Sequence, residues 1–588
     1  MRKFIHKAVH CLLRPLQGGG SFFLFTYALL LLVLLPVWWL TAAGAKVNGW
    51  TFVEAYADCY LLALSLSFLP ARLRHVFQGI CVGGLLVCSV VDFFVKVNFQ
   101  TFINSAMLRL AMETRGNEVS QFLSSYVMQL SSAFVVLPFL LWGAAWLFYV
   151  RRVAGKLWHG SSYLRKGIVG VVLICLLVGG IGSFPVKIHT FNVLRSKTVS
   201  DLEVTYGDAE VLSLYSPAHR LLFSLRGIQL VNRQVVNVRQ VHRDMVVAQE
   251  ENKVPKVVLV IGESFNRTHS QLYGYALPTT PLQVKRAERG ELIYFTDAVS
   301  CWNLTSYVFQ NLFSLHSVDS PAPWENYPLF PAIYKKAGYQ VSFLSNQFPT
   351  YVAGSISAFS GSFFLNDPVL SRQMFDYHSP TIITPVDDAN LLQEYDNLKI
   401  DSLYELTIFS LVGMHFNYDV RIPSDDWKYF EEGQYLSKGL ATADRQIIAD
   451  YDNAVRYNDS ILESILQRFE DENAIVIYCP DHGEELFDGS GVWGRTYPEV
   501  LSDAEMHNQF EVPLWVWCSS RFRTAHPDKV ERLEAARNLP FMTDDLPHLL
   551  LQLTGISCDA LDPTRSPLSD TYNMHRKRIL RGWQEYKW

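Results

Sequence analysis

A chain of 588 residues is long enough for more than one domain. Only 18% of it is charged and its mean hydropathy is slightly positive, which at this length points to membrane spans rather than one large soluble core. The net charge of -5 argues against a nucleic-acid binder.

Five apolar segments lie in the first third, at 22–43, 52–69, 76–97, 127–150 and 167–184, each 18 to 24 residues long. At about 1.5 Å of rise per helical residue each can cross a hydrocarbon core of about 30 Å. The first is too long for a cleaved signal peptide, and no small-residue cleavage site with a polar sequel stands out. Arg2, Lys3, Lys7, Arg14, Arg72, Arg74, Arg151, Arg152, Lys156, Arg165 and Lys166 flank one set of span ends, against Lys46, Lys96, Arg109 and Arg115 elsewhere. The positive-inside rule therefore puts the N-terminus in the cytoplasm and everything beyond Phe184 outside it. Asp58 and Asp92 are ionisable groups within spans, and Asp92, near the outer end of its span, is expected to be solvated. The loop 98–126, with Phe99, Phe102, Ile103, Met107 and Leu110, reads as an interfacial amphipathic segment that could admit a lipid.

Five of the nine cysteines fall in the membrane half. Cys301, Cys479, Cys518 and Cys558 remain in the soluble half without the tight spacing of a disulfide framework, and Cys479 and Cys518 sit in apolar runs as expected buried thiols.

The weakly periodic stretch 186–252 reads as a connector, partly on the membrane. Strand-like runs then recur at 256–261, 292–298, 340–345, 407–412, 474–479 and 512–518, with helical patterns at 305–315, 329–337, 441–470 and 544–553. Strands alternating with helices predict a largely parallel sheet covered on both faces. The predicted organisation is an α-helical bundle of five spans (1–185), the connector (186–252) and a soluble α/β/α domain (253–588).

Open α/β sheets place their ligands just past the carboxyl ends of their strands. Pro480-Asp481-His482-Gly483-Glu484 follows the apolar run at 474–479, offering an oxygen and a nitrogen ligand to a borderline metal such as zinc. Gly262-Glu263-Ser264 ends the first strand, where a lone Glu fits a helix N-terminal charge as well as a ligand. Thr305 opens a helical run, where a hydroxyl is a plain cap or a nucleophile at helix-end N–H groups that hold phosphate. Their coincidence changes the balance. Three strand ends of one sheet bring carboxylate, hydroxyl, carboxylate and imidazole to one point, a tetrahedral zinc set whose hydroxyl is both ligand and nucleophile.

With Val260-Ile261-Gly262-Glu263-Ser264 leading to Arg267, Leu272-Tyr273-Gly274-Tyr275, Thr279-Thr280-Pro281, Thr305 five residues before Gln310, and Asp481-His482-Gly483-Glu484, the chain resembles the bacterial phosphoethanolamine transferases. These belong to the alkaline phosphatase and sulfatase superfamily and modify lipid A, lipopolysaccharide core or periplasmic glucans. The resemblance covers nearly the whole chain. It implies a sulfatase-like catalytic domain in the periplasm, anchored in the bacterial inner membrane. It further implies Zn2+ held by Glu263, Thr305, Asp481 and His482, with Thr305 becoming phosphoethanolaminated. His415 matches the family's strand-end histidine that contacts the phosphoryl group. Glu113-Thr114-Arg115-Gly116-Asn117-Glu118 resembles the donor-lipid loop, in which Glu113, Thr114 and Glu118 are the implied headgroup contacts. Where the lipid A branch carries a further active-site His soon after Asp-His-Gly-Glu, this chain has Arg495, so Arg495 or His507 is left for that role.

The implied activity is two-step transfer of phosphoethanolamine from phosphatidylethanolamine to a cell-envelope glycolipid, lipid A or lipopolysaccharide core, by a monomer with no nucleic-acid partner. A sulfatase would need Cys-x-Pro/Ala-x-Arg, but the tract from Cys301 has Asn303 and Thr305 at the diagnostic positions. Rivals in other classes are a glycerol-phosphate transferase of the lipoteichoic type and a non-catalytic membrane sensor with a degenerate hydrolase domain.

Overall fold

The computed structural model describes residues 10–16, 21–40, 49–99, 137–146, 162–182, 184–202, 216–250, 254–348, 362–383, 386–489, 491–496 and 500–587, besides a few isolated positions. The chain divides into two compact units between Val231 and Asn232.

The first unit is helical, with α1 (Ser21–Leu40), α2 (Gly49–Ser67), α3 (Ala71–Phe99), α4 (Ser162–Gly182) and α5 (Phe184–Arg195). Helix α6 (Pro217–Asp244) starts in this unit and runs into the second. Phe23, Leu30, Ala55, Cys59 and Tyr60 knit α1 to α2, where aromatic edges meet ring faces. Val76, Ile80 and Val87 of α3, and Val171, Ile174, Leu177 and Ile181 of α4, are exposed at helical spacing. Such apolar stripes suit hydrocarbon surroundings. Among the described residues, one segment, Ala71–Val95, is long and apolar enough by itself to cross a bilayer. Most of the fourth expected span and most of the loop 98–126 lie outside the described residues.

Asp92 is not solvated. Its Oδ1 accepts from Arg220 Nε at 3.0 Å and from the Ile103 N–H at 3.0 Å, and its Oδ2 lies 2.5 Å from Arg220 Nη2, with both side chains buried. Depth in the span alone predicts a solvated Asp92, whereas a cation 128 residues away completes the site. Asp92→Ala leaves a buried guanidinium without its carboxylate, a loss of about 3–5 kcal/mol. Thermal unfolding of detergent-solubilised protein is expected to show that loss, and an Asp92→Leu, Arg220→Leu double variant to recover most of it.

The second unit holds a seven-stranded sheet built from β1 (Lys256–Gly262), β2 (Leu292–Phe295), β3 (Gln340–Ser345), β4 (Tyr377–His378), β5 (Glu405–Ser410), β6 (Ala474–Pro480) and β7 (Leu514–Cys518), in spatial order β2-β7-β6-β1-β5-β3-β4. Strands β6, β1, β5, β3 and β4 are mutually parallel, while β7 runs antiparallel to both its neighbours. Every residue of β5 and β6 is buried, and β6 accordingly reads as an apolar run without alternation. Helix α7 (Thr305–Phe313) follows β2, the 27-residue α8 (Thr442–Arg468) precedes β6, and α9 (Asp503–Phe510) precedes β7. Ile448, Tyr451, Val455, Leu462 and Ile465, at helical spacing on α8, join Val258, Val260, Val476 and Trp515 of the sheet in one apolar core.

The fifth strand is displaced from its expected bounds of 407–412. Glu405 is a charged residue inside the strand, buried because Lys256 Nζ lies 2.7 Å from Oε2 and Tyr395 donates to Oε1 at 3.1 Å. At the other end, the N–H groups of Val412 and Gly413 donate to Asp388 at 2.9 and 3.0 Å, so the chain leaves the sheet there despite its apolar side chains. All four soluble-half cysteines are free thiols, and Cys301, Cys479 and Cys518 are buried.

Candidate metal centre and active site

The carboxyl ends of β1 and β6 are adjacent, with Gly262 opposite Pro480 in the ladder. Gly262 is required at this crossing, because a Cβ there would stand 2.4 Å from the Tyr478 hydroxyl. Beyond it, Ser264 adopts a left-handed conformation (φ 55°), a strain that local hydrogen bonds must outweigh. Its N–H donates to Asp481 Oδ1 at 3.0 Å, its hydroxyl donates to Glu263 Oε1 at 2.8 Å, and its carbonyl accepts from Tyr451 of α8 at 2.6 Å. Ser264 thus fixes both carboxylates. Gly483 allows a second close approach, since a Cβ there would meet the Asn508 carbonyl at 2.2 Å.

Glu263, Asp481 and His482 are buried and offer one ligand atom each, all within 4.8 Å of one another. Thr305, first residue of α7, brings its Oγ1 to 3.4 Å from both Glu263 Oε2 and His482 Nε2. Leu304 supplies no side-chain cap to α7, so its first-turn N–H groups suit an anion beside the hydroxyl. The four residues expected from separate strand ends therefore stand together.

This set fits a metal ion. The Gly483 carbonyl can only accept, so His482 Nδ1 is the donor in their 2.8 Å hydrogen bond, and in the neutral ring Nε2 carries a lone pair. That lone pair faces Asp481 Oδ2 at 3.1 Å and Glu263 Oε1 at 3.6 Å, and Asp481 Oδ2 is buried without a hydrogen-bond donor. Converging acceptors call for positive charge. Burial acts to raise the Asp481 carboxyl, but without an ion the proton carried by His482, with the Ser264 N–H and Arg495, holds it at about 2, and an ion would take the place of that proton. Carboxylate, imidazole and hydroxyl donors form a borderline set suited to zinc.

Arg495 enters this cluster, with Nη1 2.5 Å from His482 Nε2 and Nε 3.8 Å from Glu484 Oε2. His507 stands elsewhere, on an exposed face of α9 with its Nδ1 paired to Glu511. His415 lies in the loop after β5, which packs on the first strand end: the Met414 N–H donates to the Glu263 carbonyl at 3.2 Å. The His415 ring is half-buried and tilts against Phe416. Glu113, Thr114 and Glu118 lie outside the described residues.

Gln347, which sequence reasoning missed, donates from Nε2 to Glu263 Oε2 at 3.0 Å and to the Leu411 carbonyl at 2.9 Å. It ties the metal-facing carboxylate to the β5 loop, an outer partner of the kind that orients a ligand. Its one signal is position, two residues past the end of β3 on the ligand edge. Gln509 was missed too. Its Oε1 accepts from Asn303 at 2.9 Å and from the Thr496 N–H at 3.2 Å, and its carbonyl accepts from the Gly483 N–H at 2.9 Å, so one buried amide residue fastens the loops of Thr305, Arg495 and His482.

Comparison with known proteins gives the family. Residues 255–556 match the family described as Sulfatase, and residues 59–196 match that described as Phosphoethanolamine transferase EptA/EptB. The chain is 26% identical over 574 residues to phosphoethanolamine transferase EptC of Escherichia coli O18:K1:H7, covering 93% of each. To phosphoethanolamine transferase CptA of Salmonella typhimurium it is 25% identical over 533 residues, covering 88% of this chain and 86% of the other. The crystal structure of the C-terminal periplasmic domain of EptC from Escherichia coli, in complex with Zn, superposes with a TM-score of 0.50 at 26% identity, covering 57% of this chain and 91% of that one. The chain belongs to the sulfatase family and is an enzyme of its phosphoethanolamine transferase branch.

Proposed function

We propose that the protein moves phosphoethanolamine from phosphatidylethanolamine to a cell-envelope glycolipid, lipid A or the lipopolysaccharide core, through a covalent intermediate on Thr305. The observation that carries this reading is the Thr305 hydroxyl at the start of α7, 3.4 Å from both Glu263 and His482. In the first step the Thr305 oxygen bonds to phosphorus while the bond from phosphorus to the diacylglycerol oxygen breaks, and that oxygen leaves with a proton. In the second, an acceptor hydroxyl oxygen bonds to phosphorus and gives up its proton, while the bond from phosphorus to the Thr305 oxygen breaks and that oxygen takes a proton. Zinc held by Glu263, Thr305, Asp481 and His482 would supply a Lewis acid that lowers the pKa of the hydroxyl.

The chain's own groups do the rest. First-turn N–H groups of α7 and the Arg495 guanidinium receive the phosphoryl oxygens. His415 approaches the same group from the β5 loop, and we assign the remaining cationic role to Arg495 in preference to His507. Glu113, Thr114 and Glu118 meet the ethanolamine end, the carboxylates pairing with its ammonium. Mass spectrometry of envelope glycolipids from cells with and without the protein is expected to show phosphoethanolamine gained on one of them. Unchanged glycolipids would count against the acceptor class.

The enzyme is placed in the inner membrane by five spans (1–185), with a connector (186–252) and a monomeric catalytic domain (253–588) on the periplasmic side. The eleven basic residues at proposed cytoplasmic ends, against four elsewhere, support that topology. A reporter fused after Gly160 is expected to read cytoplasmic and one fused after Trp588 periplasmic. Two reporters on one side would refute five crossings.

A further inference from the structure

Among the described residues the half-buried His415 ring makes no hydrogen bond, and its ring contact is with Phe416, centroids 5.3 Å apart. An imidazole with no partner of its own is aimed by its backbone, and that backbone is gripped from two sides. On one side stands Asp388, buried just before the helix Ala389–Asp396. Its Oδ1 accepts from the Val412 N–H at 2.9 Å and from Asn346 Nδ2 at 2.8 Å, and its Oδ2 accepts from the Gly413 N–H at 3.0 Å. All three partners are donors, so the position suits a carboxylate and not an amide. Asn346 is itself fixed to the end of β5, its N–H donating to the Ser410 carbonyl at 3.2 Å. On the other side Arg421 donates from Nε to the His415 carbonyl at 3.0 Å and from Nη2 to the Phe416 carbonyl at 3.4 Å. Between the two the chain turns through Gly413 (φ 45°), where a Cβ would stand 3.1 Å from both the nitrogen and the carbonyl oxygen of Glu263. The turn closes as the His415 N–H donates to the Val412 carbonyl at 3.0 Å.

The Glu263 carboxylate packs beside the same turn but has holds of its own, the Ser264 hydroxyl at 2.8 Å and Gln347 Nε2 at 3.0 Å. His415 has no such side-chain hold, so the grip on the turn bears on the imidazole first. We propose that Asp388 and Arg421 are positioning residues of the transfer reaction, holding the 412–416 turn from its two sides so that the His415 ring meets the phosphoryl group. The inference rests on the reading above in which His415 approaches that group. Misplacing a group at a reacting centre by about 1 Å can cost about 100-fold in rate, so a carboxylate and a guanidinium that touch only backbone can still govern turnover.

The test is the rate of diacylglycerol release by full-length, detergent-solubilised protein over a range of phosphatidylethanolamine concentrations. Asp388→Asn must turn an amide N–H toward one of the three donors, and is expected to lower kcat about tenfold with KM within about twofold of the parent, since no group that binds substrate is removed. Arg421→Lys keeps the charge but not the two-pronged donation, and is expected to lose kcat to a similar extent, about tenfold. The deciding measurement is a double-variant cycle. In a His415→Ala background, where there is no ring left to aim, Asp388→Asn is expected to cost less than about twofold. An equal loss in both backgrounds overturns the proposal and leaves the His415 reading standing, because Asp388 then acts on the fold or on the metal centre. An Arg421→Lys variant as fast as the parent also overturns it, since charge rather than the hold on the carbonyls would be what matters. His415→Ala at the parental rate overturns the His415 reading and the proposal with it.

Discussion

Thr305→Ala is expected to reduce phosphoethanolamine transfer by roughly 10⁴-fold or more, the scale seen when a covalent nucleophile is removed. The same variant separates covalent transfer from direct hydrolysis. Parent protein incubated with phosphatidylethanolamine and no acceptor should carry a mass adduct on the peptide containing Thr305, released when acceptor is added. Thr305→Ala should carry none while retaining bound metal, because Glu263, Asp481 and His482 still converge within 4.8 Å. Thr305→Ser keeps an oxygen at the start of α7 and should keep part of the activity. An adduct on Ser300 or Ser306 would move the nucleophile, and diacylglycerol release without any adduct would make water the attacking group.

The second large effect concerns Asp481 and His482. Loss of an outer partner typically weakens metal binding by about 10–100-fold, and loss of a ligand itself should cost more. Asp481→Asn is the informative variant, because its amide oxygen can still accept the Ser264 N–H that braces the left-handed turn. It should therefore fold, bind substoichiometric zinc by elemental analysis, and lose transfer. His482→Ala should do the same. Chelation of the parent protein should abolish activity and lower its Tm, and added zinc should restore both in the parent but not in the variants. Full metal content and activity in Asp481→Asn would refute the site.

The charge at this centre has two layers that respond differently to substitution. Asp481, His482 and Glu263 would face an ion, whereas Gln347 and Ser264 face the carboxylates and set their direction. Gln347→Leu would leave the donor set intact yet free Glu263 Oε2 from its amide partner.

What the sequence determined by itself was the ligand edge. Lys256–Gly262 and Ala474–Pro480 are buried on both faces, so their β-branched and aromatic runs had no alternation to confuse them, and the polar residues that end them marked the ends of adjacent strands. Glu263, Asp481 and His482 were legible for that reason, and Thr305 as the residue that opens a helical run. Tertiary structure alone decided features that depend on partners distant in the chain. Asp92 reads as solvated until Arg220 reaches it, and Glu405 lies outside the strand-like run 407–412 but joins the strand because Lys256 and Tyr395 satisfy it. The direction of Leu514–Cys518, antiparallel to both neighbours, leaves no mark on an apolar run. Which of Arg495 and His507 stands beside His482 was likewise hidden. Left-handed glycines at 489, 491 and 494 turn the loop so that Arg495 returns to His482, while the Ser502 and Glu505 capping box fixes a helix on which His507 faces Glu511. Side-chain chemistry is local and can be read in order along the chain, but which charge meets which is set by backbone turns and strand directions that only the folded chain specifies.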